Sequence, residues 1–443
     1  MKIRLLSVFL SILSFGSSYA LTLEEAVKTA LEKNNLLRAK RIEVKEKFYD
    51  VKSAKARLLP SLELFTEYNK TTDPPYAIMN RMEVKKLDMV ETDFNDPGKY
   101  QVFKTGLKAK VPIWYGGKLR IAVDLAEKEL KATEEQVKKS KNQVVYDVVK
   151  AYYGVLTAKA FVETARLAVR DAEKHLRDAK TVYRAGLGLK SDVLRAKVYL
   201  EQMEENLVKA KSNYEIALRA LKVAMGEFPK GSTSVDGDLT YREYSFNLDD
   251  LIERALKNRP ELKELEVRLK QTEDMERMAK ADFLPHVGAF GKVFMADDTA
   301  PWNKENSSWA FGFSASLNLF SGGQKFYRLR KSRISQLRVK EFKERAKKGI
   351  AFEVSQAYYH FISAKKRVDL ARAALESAQE SLRIVEKRYR NGVANITELL
   401  DTQTALNRAR SAFVAALSAY SLAVAEIYYS TGELPSKYTE LVN

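Results

Sequence analysis

The sequence contains an internal duplication, and its repeat is far longer than that of a solenoid. Several tyrosine and glycine positions recur 206 residues later, namely Tyr152 as Tyr358, Gly186 as Gly392 and Gly226 as Gly432. Earlier in each copy the offset is 225 residues, as from Pro60 to Pro285, so the first copy carries 19 extra residues before Gly116. Since solenoid repeats have periods of about 20–50 residues, we interpret this as a duplicated half. Two such halves can form one pseudo-symmetric body.

The N-terminus has the pattern of a secretory signal. Lys2 and Arg4 precede an apolar run that ends in small residues at Ala20. This run is too short to cross a membrane, and no later run of 18 apolar residues predicts a transmembrane helix. The chain contains no cysteine, which excludes disulfides, cysteine metal sites and a lipid-anchored N-terminus. We therefore expect an exported chain stabilised by packing alone.

The charge balance is strongly basic, with 76 Lys and Arg against 58 Asp and Glu. A polyanion such as nucleic acid is one partner that this excess could indicate. However, the basic and acidic residues are interspersed along helical segments such as Lys131–Lys141, which is typical of a solvated helix surface. Because the chain is exported and carries no recognition motif of that class, we predict no nucleic-acid partner.

Each half is predicted to run helix, hairpin, very long helix, turn, long helix. The first helix of each half opens with a capping residue, Thr22 or Asn247, followed three residues later by an acidic residue. Both helices are expected to run for about 37 residues and to end at Pro60 and Pro285, because proline interrupts the helical hydrogen bonds.

After each proline, the spacing of the apolar residues changes from the period of a helix to the alternation of a strand. In Ser308–Leu319, the large apolar residues Trp309, Phe311, Phe313, Leu317 and Leu319 share one face. In the first half, Phe103, Leu107, Val111 and Ile113 lie opposite Lys104, Lys108 and Lys110. Weaker partner strands are predicted at Leu62–Lys70 and Val287–Met295, with a long loop over Thr71–Lys99. This alternation favours a barrel wall between water and lipid over the edge of a soluble sandwich.

The helices after the hairpins are long. Lys118–Tyr183 would extend on the order of 100 Å at 1.5 Å per residue, and Gln324–Tyr389 matches it. The return helix carries an apolar heptad stripe, beginning Ala196, Leu200, Met203 and Leu207. Such spacing predicts supercoiled helices that pack side by side.

Four strands cannot close a barrel alone, and an open sheet would expose backbone groups to hydrocarbon. Strands from several chains must therefore combine. Two chains would give a filled eight-stranded barrel, and three would give twelve strands with room for an aqueous bore. The long polar helices would project from this barrel as a hollow tube into the compartment behind the membrane.

With the duplication and the signal, the paired turns carry a specific resemblance. Tyr183-Arg184-Ala185-Gly186 and Tyr389-Arg390-Asn391-Gly392 are followed by Ser191-Asp192-Val193-Leu194 and Thr397-Glu398-Leu399-Leu400-Asp401. Over almost all of the mature chain, this pattern resembles the TolC-like outer-membrane efflux proteins. The resemblance implies a homotrimer with a twelve-stranded barrel in outer-membrane lipid and a periplasmic α-helical barrel. It also implies a periplasmic adaptor and an inner-membrane pump as partners, for export of drugs, metals or proteins.

By that resemblance, the turns lie at the narrow periplasmic tip. The pore constriction is expected at Glu398 and Asp401, with Asp192, and three copies of the first two would place six carboxylates in the bore. A simpler interpretation is that Ser191 and Thr397 cap helices whose positive ends favour Asp192 and Glu398. Asp401 lies outside the capping positions.

The tip has further expected roles. Tyr389, Asp192 and Ser191 match the gating region of the family, but the arginine expected near Leu417 is missing, and Arg195 is the candidate substitute. The residues expected to contact the adaptor are Arg184, Gly186, Arg390 and Gly392. Both glycines are equally explained by the tight reversal of the chain.

The predicted organisation is a signal peptide at 1–20 and a channel protomer at 21–443. The protomer divides into a first repeat at 21–226, a linker at 227–246, a second repeat at 247–432 and a tail at 433–443, with barrel segments at about 61–114 and 286–320. His175, His286 and His360 have no metal-ligand spacing and are interpreted as incidental. We predict no enzyme, cofactor or metal site.

The predicted function is an outer-membrane exit duct of a tripartite efflux or type I secretion system, which conducts substrates passively. The alternative is a soluble periplasmic coiled-coil scaffold or adaptor without a membrane barrel.

Overall fold

A computed structural model describes residues 20–231, 233–302 and 306–439. The predicted signal peptide at 1–20 falls almost entirely outside these residues, as do the last four residues of the predicted tail. The chain divides into two compact units. Of the described residues, the helical unit comprises those up to Lys40, Val137–Pro260 and those from Lys347 onward, and the sheet unit comprises those in Arg41–Gln136 and Glu261–Ala346.

The first half of the chain follows the predicted order of elements. Its helices and strands are α1 (Leu23–Lys33), α2 (Asn35–Ala56), β1 (Ser61–Thr71), α3 (Pro74–Glu83), β2 (Tyr100–Tyr115), α4 (Lys118–Arg184) and α5 (Lys190–Ala224). Helix α3 lies in the segment that was predicted to be a loop. Because Pro74 and Pro75 occupy its first positions, where no helical N–H is needed, this proline pair begins a helix.

The second half repeats these elements, and among its described residues there is no counterpart of α3. They are α6 (Leu248–Asn258), α7 (Pro260–Ala281), β3 (His286–Asp297), β4 (Ser307–Ser316), α8 (Gln324–Arg390), α9 (Ile396–Ser430) and the short α10 (Leu434–Thr439). Helices α6 and α7 follow α1 and α2 at the offset of 225 residues, while α8 and α9 follow α4 and α5 at 206. The extra residues of the first half therefore lie between β1 and β2. Helix α10 falls within the predicted tail.

The prediction of one 37-residue helix at the start of each half is wrong, because each is broken near its first third. Asn34 is extended, with ψ 123°, and its side-chain oxygen accepts a hydrogen bond from the backbone of Leu36 at 3.0 Å. In the second half, Arg259 is extended because the following Pro260 disfavours a helical conformation. The predicted starts are confirmed, since the Thr22 and Asn247 side chains accept hydrogen bonds from the backbones of Glu25 and Asp250.

The sheet unit holds one antiparallel four-stranded sheet, in the order β1-β2-β3-β4. The two predicted hairpins are joined because β2 also pairs with β3, which leaves β1 and β4 as edge strands. The register shifts between Pro112 and Trp114, so Ile113 falls in a bulge instead of continuing the apolar face. Strand β4 ends at Ser316, and Leu317 and Leu319 lie beyond it.

One face of the sheet is apolar and exposed. In the pairing of β3 with β4, Phe313 lies opposite Ala289 and Phe311 lies opposite Gly291, so these residues share one face of the sheet. Val293, two residues after Gly291, lies on the same face. Large side chains on this face are strongly exposed, including Leu62 71%, Leu64 69%, Trp309 73%, Phe311 71% and Phe313 74%. The predicted alternation along β4 and β2 is thus confirmed within the strands.

The helical unit has its own core. Ala26, Val27 and Ala30 of α1 pack with Val145 and Val148 of α4. Tyr152 connects the linker to this core. Its hydroxyl donates hydrogen bonds to the carbonyl of Leu21 at 3.1 Å and to the carbonyl of Asp236, in the linker, at 2.7 Å. By length and composition, one described helix, α9, could cross a membrane. Because α9 buries residues such as Tyr420 and Ile427, we interpret it as a core helix.

Candidate functional site

The candidate site is the pair of turns that join α4 to α5 and α8 to α9, both in the helical unit. Gly186 and Gly392 have φ values of 75° and 72°, in the left-handed region that glycine adopts without strain. Each helix ends in a Schellman motif. The N–H of Gly186 bonds to the Tyr183 carbonyl at 3.0 Å, and the N–H of Leu187 bonds to the Val182 carbonyl at 3.1 Å.

The two turns share this geometry and lie at the surface. At the second turn, the N–H groups of Gly392 and Val393 donate to the carbonyls of Tyr389 and Arg388 at 3.0 and 2.9 Å. Arg184 and Arg390 are exposed beside their glycines, and Arg390 lies 4.0 Å from the carboxylate of Glu386. A Cβ added to Gly186 or Gly392 would meet no atom within 4 Å, so only backbone conformation requires glycine there.

The helix caps after the turns differ from the prediction. Helix α9 is capped by Asn395, whose side-chain oxygen accepts a hydrogen bond from the backbone of Glu398 at 2.8 Å. Ser191 and Thr397 therefore lie inside the first turn, because each helix begins two residues earlier than expected. Asp192 accepts a hydrogen bond from the Leu189 N–H at 3.4 Å, so its placement at the positive end of α5 agrees with the simpler interpretation of that carboxylate.

Tyr389 is buried where the four helix ends meet. It packs with Leu382 and Val385 of its own helix, and the same cluster includes Ala179 of α4 and Ile396 of α9. Burial raises the pKa of the Tyr389 hydroxyl above its usual value, and the nearby negative charges of Asp192 and Asp178 raise it further. The tyrosine therefore stays neutral and serves as a packed contact between helix ends.

Arg195 joins the two return helices. Its guanidinium donates a hydrogen bond to the Thr397 hydroxyl at 2.7 Å, which connects α5 to α9 near the turns. Arg195, Thr397 and Asp401 line one groove of about 400 Å³ together with Leu194 and Leu400. The sequence did not predict Thr397 as the partner of Arg195, and the motif around each turn gives no direct signal for it.

The two acidic residues of the predicted constriction have different surroundings. Glu398 forms an ion pair with Arg388 at 2.6 Å across the turn, so part of its charge is compensated. Asp401 is exposed, and among the described residues it has no ion pair. The uncompensated negative charge at this site therefore belongs to Asp401 more than to Glu398. Arg388 was missed from the sequence because its charge is one of many along α8.

A buried polar network lies on the helices that lead to the turns, and it gives His175 a packing role that the sequence did not predict. The fully buried Gln403 of α9 contacts the His175 ring at 2.9 Å and donates to the Asp171 carboxylate at 3.1 Å. Arg410 also donates to Asp171, at 2.8 Å. Since buried polar groups need partners, this network fixes the packing of α4 against α9. Nothing in the spacing of these residues along the sequence predicts their contact.

Comparison with known proteins identifies the family of this chain. A family model described as "Outer membrane efflux protein" matches residues 26–227 and 251–433, which is most of the chain. The chain belongs to the outer membrane efflux protein family. The TolC-like resemblance and the outer-membrane localisation with a periplasmic helical part are thus confirmed. This is a family of efflux proteins rather than enzymes, and a soluble periplasmic scaffold does not fit it.

Individual relatives are distant in sequence. The outer membrane protein TolC of Salmonella enteritidis is 22% identical over 263 residues, which cover 57% of this chain and 53% of that protein. The match thus spans about half the length of this curated relative.

Within the described ranges, no group of three or more His, Cys, Asp or Glu side chains is placed to hold a metal ion.

Solved structures share the fold over nearly the whole chain. The Campylobacter jejuni CmeC outer membrane channel has a TM-score of 0.76 at 18% identity, covering 95% of this chain and 88% of its own. The outer membrane protein VceC of Vibrio cholerae has a TM-score of 0.74 at 18% identity, with 93% and 96% covered. The predicted fold of the single chain, mostly helical with a small sheet, is confirmed.

Proposed function

We propose that three copies of this chain form an outer-membrane exit duct. The three four-stranded sheets would close into a twelve-stranded barrel, and the helical units would form the periplasmic α-helical barrel. Cargo would pass from a periplasmic adaptor and an inner-membrane pump to the exterior without any chemical step. Such a duct serves a tripartite efflux or type I secretion system.

The exposed apolar face of the sheet is the observation that carries this proposal. Side chains such as Trp309, Phe311 and Phe313 are more than two-thirds exposed, which is costly in water but suitable against lipid. The same sheet has two unpaired edges, β1 and β4. Because open edges cannot be solvated in hydrocarbon, each must pair with the edge of another chain.

A second apolar surface, on α5, supports assembly of the helical units. Five large apolar side chains on this helix are exposed by more than half, namely Leu194, Val198, Val208, Ile216 and Val223. Soluble monomers rarely leave such a row uncovered. Its placement on a helix with heptad spacing favours side-by-side packing with a helix of a neighbouring chain.

The turns would form the gated end of the duct. In this assignment, the Arg195–Thr397 hydrogen bond and the packed Tyr389 hold the helix ends together, and Asp401 supplies negative charge to the bore. Arg184 and Arg390, exposed next to the turn glycines, would contact the adaptor. Since three chains contribute, each of these features would occur three times around the tip.

The test is to express the full chain in bacteria with an outer membrane and to measure its state and its conductance. The proposal predicts that it is extracted only with detergent, migrates with the mass of three chains and forms channels in a planar bilayer. A protein that is soluble without detergent, or a detergent-extracted monomer without channel activity, would contradict the proposal.

A further inference from the structure

The sheet face opposite the apolar one is rich in lysine. The pairing register places four lysines on it, namely Lys104, Lys108, Lys110 and Lys292. Two acidic residues share the face, namely Glu63 and Glu67. The face therefore carries two positive charges in excess per chain. In a closed barrel with the apolar face toward lipid, this face lines the aqueous bore.

Two of these lysines stand directly against each other. Lys108 of β2 and Lys292 of β3 are cross-strand partners, an arrangement in which like charges destabilise a sheet. On its other side Lys108 is aligned with Glu63 of β1, but among the described residues the two form no ion pair. Lys104 differs, because it forms an ion pair with Glu83 at 2.6 Å. In the described part of the chain, Lys108, Lys110 and Lys292 have no ion pair within 4 Å. The repulsion between Lys108 and Lys292 would be relieved by an anion bound to both.

A large cavity on the same face brings these ammonium groups together with aromatic rings. It has a volume of about 990 Å³, and its lining includes Lys108, Lys110, Lys292, Phe290 and Tyr115. The Lys292 ammonium also lies 4.2 Å from the centre of the Phe294 ring. This cation–π contact holds the charge beside apolar surface instead of in open water.

We propose that this cavity binds amphipathic organic anions, which have one sulfonate or carboxylate group on an aromatic body. Lys108 and Lys292 donate charge-assisted hydrogen bonds to the anionic group, and Phe290 contacts the aromatic body. The inference rests on the proposed duct, since the cavity then lies in the path of the cargo. It assigns organic anions to the substrates that the duct carries.

The test uses the full chain in neutral detergent at low salt, with equilibrium binding of 2-naphthalenesulfonate followed by calorimetry. The matched probe is 2-naphthyltrimethylammonium, which keeps the ring system and reverses the charge. We expect the sulfonate to bind at least roughly tenfold more tightly than the ammonium compound, since each lost charge-assisted hydrogen bond costs about that factor. Equal binding of the two probes, or binding of neither, would overturn the proposal on the unmodified protein.

Substitution then locates the site. Lys108→Gln with Lys292→Gln is expected to weaken sulfonate binding by roughly tenfold or more, whereas Lys108→Arg, which keeps the charge, is expected to retain it. Lys70→Gln with Lys99→Gln removes the same charge elsewhere in the sheet unit and is the control. If the control weakens binding as much as the test pair does, the assignment to this cavity is wrong.

Bilayer recordings separate this inference from the proposed duct. Channels that conduct while the protein binds no sulfonate would support the duct and contradict the anion site. Sulfonate binding that depends on Lys108 and Lys292 in a protein without conductance would support the site and contradict the duct.

Discussion

Arg195 of α5 and Thr397 of α9 are joined by a hydrogen bond of 2.7 Å. Arg195 lies in the first half of the chain and Thr397 in the second, near the starts of the two return helices, and at the offset of 206 residues their equivalents are Asp401 and Ser191. The bond therefore connects the two halves of the duplicated chain at the end where the turns lie. In the proposed duct, it is a contact that must break if α5 and α9 separate.

We predict that Arg195→Ala opens the tip. The bond is exposed, so we assign it about 1 kcal/mol, and three copies would shift a closed–open equilibrium by roughly a hundredfold. The expected result is a higher open probability in planar-bilayer recordings. Arg177→Ala, which removes an exposed arginine paired with Glu173 on α4, is the control. Unchanged gating in Arg195→Ala would remove this residue from the gate.

Asp401 and Glu398 are expected to contribute unequally to ion selectivity. Glu398 and Arg388 form an ion pair at 2.6 Å, so removing both charges leaves the net charge at the tip unchanged, whereas neutralising the unpaired Asp401 removes one negative charge per chain. Asp401→Asn should therefore reduce the cation preference more than the double variant Glu398→Gln with Arg388→Gln does, as measured by the reversal potential in a salt gradient. An equal or opposite order would contradict the assignment of the charge ring to Asp401.

The two faces of β4 give a matched pair of substitutions. Phe311 lies on the apolar face and Ala310 on the opposite face, next to it in the chain. A lysine facing the lipid midplane costs about 2–4 kcal/mol, so Phe311→Lys should reduce insertion into the outer membrane. Ala310→Lys, which would face the bore, should insert normally. Fractionation of membranes from cells that express each variant measures the difference, and equal insertion would refute the assignment of the faces.

The ion pairs of Asp282 predict that the junction between the strands and the long helices, called the joint below, is sensitive to acid. It accepts ion pairs from Lys118 at 2.5 Å and from Arg328 at 2.7 Å, near the starts of the two longest helices. Burial alone would raise the pKa of Asp282, but the hydrogen bonds and charges of these two partners outweigh it and hold the pKa below its usual value. The stabilisation is therefore complete above the unfolded pKa of about 3.9 and is lost as the pH falls through the lower folded value.

The measurement for this joint is thermal unfolding in detergent between neutral pH and about pH 3, near and below the unfolded pKa. The intact protein should lose stability over the acid part of this range. Asp282→Asn should be less stable at neutral pH and should lose less on acidification, and Asp249→Asn, an exposed acid in the helical unit, is the control. Parallel pH profiles for Asp282→Asn and the intact protein would show that the joint contributes nothing.

Local patterns in the sequence predicted much of the fold because they act over a few residues. Thr22 and Asn247 cap helices through bonds to residues three positions away, and alternation along β4 identifies its apolar face without knowledge of its partners. The break at Asn34 was missed because asparagine is tolerated inside helices, and only its own side-chain hydrogen bond reveals the new cap. The repeat itself would have located the break, since Arg259 and Pro260 lie at the equivalent positions.

The site was predicted less completely, because its contacts join distant parts of the chain. The turn glycines could be predicted because a tight turn sets the backbone geometry of only a few neighbouring residues. The ion pair of Arg388 with Glu398 and the contact of His175 with Gln403 depend on how separate helices pack. Neither pair has a spacing that distinguishes it from the many other charged and polar residues on these helices.

Pairing between sheet edges of neighbouring chains is the central claim, and the repeat predicts its register. Within one chain, Lys108 of β2 pairs with Lys292 of β3. The offsets of 206 and 225 residues map this pair onto Ser314 of β4 and Glu67 of β1 in a neighbouring chain. Since cross-strand Cβ atoms lie about 5 Å apart and the chain contains no cysteine, Ser314→Cys with Glu67→Cys reports this contact directly.

Disulfide formation by this double variant in intact outer membranes is the most direct measurement. The account predicts covalent trimers on denaturing gels without reductant, and single chains when reductant is added. Neither single-cysteine variant should form the trimer, and Ser314→Cys with Leu64→Cys, which is out of register and on the other face, should crosslink poorly. Single chains alone from the double variant, in membranes where it is inserted, would contradict a barrel wall built from separate chains.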